Sequence, residues 1–501
     1  MKGLKTVFKH WLSLAGFLIF TTSFTISLFL FIVANVLGRG GLYMGLLTYI
    51  IGPATMASGM ALLLIGLWVQ RRRTKKGIEP PPPGVKILNL ETPRQRRRLL
   101  LFTAAAALFV LISSLASFEA FHYTESVQFC GQLCHKIMEP EHVAYQHSSH
   151  ARISCVECHV GAGADWFVRS KLSGLYQVYA ALTKTYPTPI PTPIHNLRPA
   201  RETCEHCHWP QKFYNHKMRF ESYYLGDETN TRWDLQLVMR LGAEHSSRGQ
   251  EKGIHWHINS DVRIEYISGE DKKNEIPWVR YTNIQTGESH VYRDEDIDFD
   301  ERLVTEENIR VMDCIDCHNR PSHDYKSPNR IINDAFTSGE VSTDLPEFKL
   351  KAMELLTAEY ESSTAAKKTI REGLVEFYVE DHPEFYAANA VLVKQAADLL
   401  VREFNRFFFP EMKVRWDTHN NQVGHMQFKG CARCHNNTHI SDEGRRIGRD
   451  CNSCHVITAQ GPYDGMETTS VMNPLVFRHP VDIDGAWQEV LCIECHEGSV
   501  Y

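Results

Sequence analysis

The sequence predicts a mainly α chain in two unequal parts: three membrane-spanning helices at the N-terminus, then a larger extracytoplasmic part with a small β-rich segment and a helical-hairpin insertion. Three observations carry this expectation. Three long runs near the N-terminus hold no charged residue. All 14 cysteines fall into close pairs, each followed directly by a histidine, and the stretches between the pairs show strand-like or helix-like apolar periodicity.

No charge interrupts Trp11 to Leu37, Gly41 to Gln70 or Leu99 to Phe118. A helix needs about 20 residues to cross a hydrocarbon core of about 30 Å, and each run suffices. Pro53 inside the second run predicts a kink, and Gly38 to Gly41 a tight turn between the first two spans. Lys2, Lys5 and Lys9 precede the first span, while Arg71, Arg72, Arg73, Lys75, Lys76, Arg94, Arg96, Arg97 and Arg98 fill the second connection. Positive residues favour the cytoplasmic side. The N-terminus is therefore expected in the cytoplasm, Pro80 to Pro83 as a stiff cytoplasmic spacer, and everything after Glu119 in the periplasm of a bacterial inner membrane. The first run is longer than the roughly 7–15 apolar residues of a cleaved signal and reads as a retained span.

Six of the cysteine pairs read Cys-x-x-Cys-His: Cys155/Cys158/His159, Cys204/Cys207/His208, Cys314/Cys317/His318, Cys431/Cys434/His435, Cys451/Cys454/His455 and Cys492/Cys495/His496. The first in the chain, Cys130/Cys134/His135, holds one extra residue. Two thioethers and an adjacent imidazole in this spacing are the attachment signature of c-type haem, so seven covalent haem c groups are expected, with the seven histidines as proximal iron ligands. A disulfide framework gives the recurring histidine no role. Structural zinc pairs its knuckles at short fixed spacing, and these gaps vary too widely. With a formal net charge of −5 and its basic residues crowded beside the membrane runs, the chain offers no nucleic-acid face.

Each iron has a second axial position, and the 25 histidines leave a surplus to fill them. His150, His257, His323, His425, His439 and His479 rank first. His150 lies five residues before Cys155, His323 five after His318, His425 and His439 bracket the fifth motif, and His479 precedes the last. His255 rivals His257 on the same face of an expected strand. His142, His147, His195, His216 and His245 stand in reserve. Met138, three residues past His135, offers a thioether to the first iron. Irons with two imidazoles carry electrons rather than bind substrate.

Between the motifs, Val262 to Ile267 and Trp278 to Ile284 alternate within a β-rich stretch from Trp233 to Tyr292. Phe348 to Phe409 reads as a helical hairpin or pair, with Met353, Leu356 and Tyr360, then Leu374, Phe377 and Tyr378, at helical spacing and a break at Glu380 to Glu384 around Pro383. Five regions follow: a membrane anchor (1–120), the first three haem motifs (121–215), the β-rich segment with the fourth (216–345), the helical insertion (346–415) and the last three motifs (416–501).

The run from Phe129 to His159, with its cysteine pair, Met138, Tyr145, Ser149, His150 and Cys155-Val-Glu-Cys-His159, resembles the NapC/NirT family of membrane-bound multihaem quinol dehydrogenases. Pro189-Ile-Pro-Thr-Pro-Ile, the run from Asn196 to Cys204, and the run from Met312 to His323 resemble the larger seven-haem inner-membrane cytochromes of metal-respiring bacteria. The resemblance implies oxidation of menaquinol beside the first haem and delivery of electrons to periplasmic c-type cytochromes, with the menaquinone pool and membrane lipid as further partners. It implies that Met138 matches the family methionine near the first iron, His150 a distal ligand, and Lys171 a lysine of the quinol pocket. The chain departs from the family pattern in the extra residue of the first motif, in a methionine displaced by one position, and in Gln177 where a carboxylate is expected. Quinol releases two protons, and Lys171, Asp165 and Glu139 are the candidate catalytic groups to receive them. Two other readings compete: a terminal reductase of a nitrogen or sulfur oxyanion, which needs a five-coordinate iron, and a relay subunit fed by a partner dehydrogenase.

Overall fold

The structure, a computed structural model, describes residues 11–35, 48, 51–76, 93–133, 135–161, 164–192, 199–242, 253–269 and 274–496. The turn at Gly38 to Gly41, the spacer Pro80 to Pro83, Cys134, His195 and His245 lie outside the described residues, and His135 and Asp165 are described by their backbone alone. The chain divides into two compact units, Met1–Thr124 and Glu125–Tyr501.

In the first unit the uncharged runs form three helices, α1 (Trp11–Asn35), α2 (Gly52–Lys75) and α3 (Pro93–Thr124), each long and apolar enough to cross a membrane. Between hydrocarbon tails no hydrophobic force joins helices, and close backbone approach at small residues takes its place. α1 and α2 meet in this way. A Cβ on Gly66 would stand 2.4 Å from the Ser13 nitrogen, and one on Gly16 2.4 Å from that of Leu63. Pro53 causes no kink, because it falls in the first turn of α2, where its missing N–H costs nothing.

In the second unit, the helices α4 (His135–Gln146), α5 (Cys155–His159), α7 (Ala200–Cys204) and α8 (Cys314–Cys317) carry motif residues, and the longer α6 (Ala164–Thr183), which holds none, lies between the second and third motifs in the chain. A helical block follows, α9 (Pro328–Thr337), α10 (Phe348–Thr357), α11 (Ser363–Glu380) and α12 (Pro383–Phe407), and α13 (Cys492–His496) lies near the C-terminus. On α11 the residues Ala366, Ile370, Leu374 and Tyr378 recur every fourth position and all are fully buried. Each large side chain in such a stripe contributes about 1.5–3 kcal/mol by leaving water. α11 packs on α12. The break between them is Asp381-His382, after which Pro383 starts α12 at the one place a helix accepts it freely. The block therefore holds three consecutive helices from Phe348 onward, one more than a simple pair.

The β structure is larger than the sequence suggests. Strands β1 (His216–Tyr224), β2 (Arg232–Arg240), β3 (Val262–Ile267), β4 (Trp278–Asn283), β5 (Ser289–Asp294), β6 (Arg310–Val311), β7 (His439–Ser441), β8 (His455–Pro462) and β9 (Glu467–Thr468) form two antiparallel sheets. Their orders are β1-β2-β8-β9 and β6-β3-β4-β5-β7. β8, β9 and β7 come from the C-terminal haem region and complete the sheets begun before the helical block. Val238 pairs with Val456, and Arg293 with Ile440. Such long-range pairing leaves no local periodicity for a sequence reading to find.

Candidate haem-attachment sites

The regular motifs fold as tight turns. α5, α8 and α13 each cover one, α7 ends on Cys204, and 3-10 turns cover Gly430–Arg433 and Cys451–Ser453. Residues three apart in a helical turn share a face, so the two sulfurs of a pair can reach one planar group. The following histidine closes the turn. Its N–H donates to the carbonyl of the first cysteine at His208 (2.8 Å), His318 (2.8 Å) and His435 (3.0 Å). At the fourth motif the intervening residues add support. Asp313 and Asp316 form a reciprocal cap on α8, and the buried Asp316 also accepts from the Tyr266 hydroxyl (2.8 Å) and Arg310 Nε (2.7 Å).

Each of the six regular motif histidines faces a second histidine. The ring centroids are 6.2 Å apart for His159 and His323, 6.0 Å for His208 and His150, and 6.4 Å for His318 and His255. They are 5.9 Å apart for His435 and His257, 6.2 Å for His455 and His425, and 6.1 Å for His496 and His479. An imidazole nitrogen stands about 2 Å from a transition metal and the ring centroid about 1 Å farther back, so two rings on opposite sides of one metal lie about 6 Å apart. The spacing fits an iron between each pair. Tautomers agree with it. Nδ1 donates to a backbone carbonyl at His150 (Pro321, 3.2 Å), His257 (Ile254, 2.8 Å), His323 (Glu141, 3.0 Å), His435 (Gly448, 2.9 Å) and His479 (Val481, 2.7 Å), which leaves Nε2 toward the partner ring. Burial lowers the pKa of His159, His255, His257, His318, His323 and His425, and that of His455 to about 4, keeping these rings in the neutral form that binds metal.

Local structure delivers the second rings. Tyr145 donates its hydroxyl to the carbonyls of Ala151 (2.8 Å) and Ile153 (2.9 Å), fastening the loop that carries His150. His255 and His257 share one 3-10 turn, Ile254–Ile258, rather than a strand, and serve two different pairs rather than competing for one. Gly253 permits this turn, since a Cβ there would stand 2.5 Å from the Gly242 nitrogen. His425 follows Gly424, whose carbonyl approaches Gly430 so closely that a Cβ at Gly430 would stand 1.8 Å away.

His439 departs from its expected role. The ring is fully buried, and both nitrogens are engaged, Nδ1 with Asn436 Oδ1 (2.9 Å) and Nε2 with the Ile276 carbonyl (2.7 Å). It ties β7 to the segment before β4 and has no nitrogen to offer an iron. Its place among the six is taken by His255. The His-x-His pattern at 255–257 is the available signal, and treating the two as rivals for one role hides that each ring faces a different motif histidine.

At the first motif, Cys130 lies in a π turn, Phe129–Leu133, and the His142 ring packs against Gly131 with its Nε2 buried and without a hydrogen bond. His142 and the half-buried Met138 are thus two donors on α4 beside this motif. Lys171, on α6, pairs with Glu125 Oε1 at 3.7 Å, and both charges act on the Cys130 thiol. Glu125, which sequence reasoning passed over, directly follows the third apolar helix. Glu139 is exposed, Gln177 donates to Ser173 Oγ at 3.4 Å, and Asp165 shares α6 with Lys171. Of the reserves, His147 donates to the Val143 carbonyl (2.8 Å) and His216 opens β1.

The motifs also neighbour one another in order. The Cys130 and Cys155 thiols are close enough to shift one another's ionisation, as are those of Cys204 and Cys314. Cys158 lies within electrostatic reach of Cys204 and Cys207, Cys317 of Cys431, Cys454 of Cys431, and Cys492 of Cys451. Every motif is therefore next to its successor. The cysteines of a pair differ in setting, a difference their shared spacing does not foretell. Cys158, Cys207, Cys431, Cys451 and Cys495 are exposed, whereas the other described motif cysteines are partly buried. In the last motif Cys492 faces the preceding site and is half-buried, while Cys495, one turn on along α13, is exposed and within reach of Cys492. The last motif thus shares the one-exposed, one-half-buried arrangement of the second, third, fifth and sixth.

Comparison with known proteins agrees with this arrangement. Residues 92–198 match the model of the NapC/NirT cytochrome c family, N-terminal region. Over 485 residues, 97% of this chain and 94% of the relative, the sequence is 39% identical to the cytochrome c-type protein ImcH of Geobacter sulfurreducens. Over 113 residues, 22% of this chain and 62% of the relative, it is 32% identical to the cytochrome c-type protein NrfH of Wolinella succinogenes. No solved structure matches the chain. With cysteine pairs and paired imidazoles suited to haem and three helices suited to a membrane, the chain belongs to the NapC/NirT cytochrome c family as a membrane-anchored multihaem electron-transfer protein.

Proposed function

We propose that this chain oxidises menaquinol beside its first motif and relays the electrons along seven covalently attached haem c groups to periplasmic c-type cytochromes. The anchor sits in the inner membrane with its N-terminus in the cytoplasm and the haem-bearing unit in the periplasm, as the positive charges flanking the spans favour. Haem supplies one-electron chemistry held by two thioethers and an axial imidazole. The second axial donors are His323, His150, His255, His257, His425 and His479, in the order of the second to seventh motifs, with Met138 and His142 flanking the first. Paired imidazoles leave no open position at these six sites, which disfavours a terminal reductase.

The observation that carries the reading is the Glu125–Lys171 pair, 3.7 Å apart beside Cys130 and directly after an apolar helix. A quinol gives up two protons with its two electrons, and a carboxylate next to an ammonium offers an acceptor while the ammonium steadies the developing negative oxygen. The successive neighbouring of motifs then supports an unbranched path in sequence order, ending at the motif of His496.

The test is addition of a reduced menaquinone analogue to the purified protein in detergent, following the haem absorbance. Reduction is expected within a turnover time, slowed at least tenfold by Glu125→Gln. If the haems stay oxidised while dithionite reduces them fully, quinol is not the donor.

A further inference from the structure

The helix that opens with the proximal histidine of the first motif also reaches the second site. Glu141, on α4, holds His323 in two ways: its backbone carbonyl accepts the Nδ1 proton at 3.0 Å, and its carboxylate Oε2 stands 3.1 Å from the same nitrogen. That oxygen is buried and has no hydrogen bond of its own. At His150, His257, His435 and His479 the Nδ1 acceptor is a backbone carbonyl. The geometry points to Glu141 as a positioning residue that makes the second haem a low-potential step between the first haem and the rest of the chain. The inference rests on the axial pairing of His159 with His323.

The physical reason is electron donation. A carboxylate oxygen 3.1 Å from Nδ1 polarises the ring whose N–H the backbone carbonyl accepts, making the other nitrogen a stronger donor and favouring ferric over ferrous iron. A buried negative charge close to the iron acts in the same direction. Arg320 opposes it. Its Nη2 lies 3.8 Å from Glu141 Oε2, its Nε donates to the His323 carbonyl at 2.7 Å, and the guanidinium stacks over Tyr325 at 5.0 Å. The two charges act on one ring with opposite sign, so one haem should respond oppositely to removal of each.

The experiment is a redox titration of the purified holoprotein in detergent, read in the haem α-band and by electron paramagnetic resonance of the low-spin ferric signals. In Glu141→Gln, one component of single-haem amplitude moves to higher potential and one low-spin signal shifts, while the other components hold. Glu141→Asp restores much of the original position. Arg320→Gln moves the same component to lower potential. Shifts of equal sign in the Glu141→Gln and Arg320→Gln variants, or no shift in either, overturn the assignment. Loss of one haem from both variants also overturns it, by giving the pair a structural role alone. Unaltered reduction by quinol with a shifted component separates this inference from the quinol reading, since the potential is measured without quinol.

Discussion

Replacing His255 and His439 one at a time separates a ligand from a structural histidine. In His255→Ala the His318 ring loses the partner whose centroid lies 6.4 Å away, and nothing on the Ile254–Ile258 turn replaces it, because His257 already faces His435. One iron of the expected seven then becomes five-coordinate. Dithionite-reduced protein should bind carbon monoxide at about one seventh of its haem, with a matching high-spin signal in the ferric form, and wild type at almost none. His439→Ala removes a fully buried ring that makes two hydrogen bonds. Each polar partner left unpaired costs about 1–3 kcal/mol, so with two partners the variant should lose about 2–6 kcal/mol of stability. Its melting temperature falls while its carbon monoxide binding stays at the wild-type level. The reverse pattern, carbon monoxide binding in His439→Ala and none in His255→Ala, would refute the pairing.

Three further outcomes follow from other parts of the chain. Gly66→Leu drives a side chain into the Ser13 backbone, where even a Cβ has only 2.4 Å, so the α1–α2 contact should open and the variant accumulate poorly in membranes, as judged by haem-stained gels. Gly430 has φ +47°, and its Cβ would stand 1.8 Å from the Gly424 carbonyl, so Gly430→Ala should displace His425 and yield carbon monoxide binding at a single haem. Lys349 is buried, donates to the Tyr224 carbonyl and to Asn333 Oδ1 at 3.1 Å, and burial lowers its pKa from 10.5 to about 8. Between these values the unfolded chain binds more protons than the folded one, so stability rises with pH across that window, by at most about 3 kcal/mol. Thermal melts from pH 7 to 11 should show the rise in wild type and a flatter curve in Lys349→Met. Parallel curves would discount the lysine.

The sequence declares what is local and chemical. A motif whose cysteines and histidine lie within one turn needs no tertiary information, and an uncharged run is equally self-contained, so spans and attachment sites are legible. Leu374 and Tyr378 of the expected helical stripe are legible for the same reason and are buried. The second ring of each pair is a different kind of fact. His323 reaches His159 across the whole of β1–β6, and nothing near either residue says so. Proximity to a motif still put His323 forward, and the structure sets its ring beside His159 because the fourth motif folds beside the second. The same rule misplaced His439, which lies as near the fifth motif but spends both nitrogens on hydrogen bonds. Glu125 and Glu141 escaped notice because single glutamates carry no pattern, and only their distances to Lys171 and His323 mark them.

The His159–His323 pair also bears on how the protein is made. A chain exported from its N-terminus presents the second motif long before residue 323 emerges, whereas His150 is already outside when the third motif appears. The third site has both imidazoles from the start; the second must wait. If haem is attached as the chain emerges, the second site would hold a single histidine until His323 follows, and it would be the site most open to a wrong ligand. Its second imidazole would then arrive only with the fourth motif, so an N-terminal site would be completed by a late segment of the chain.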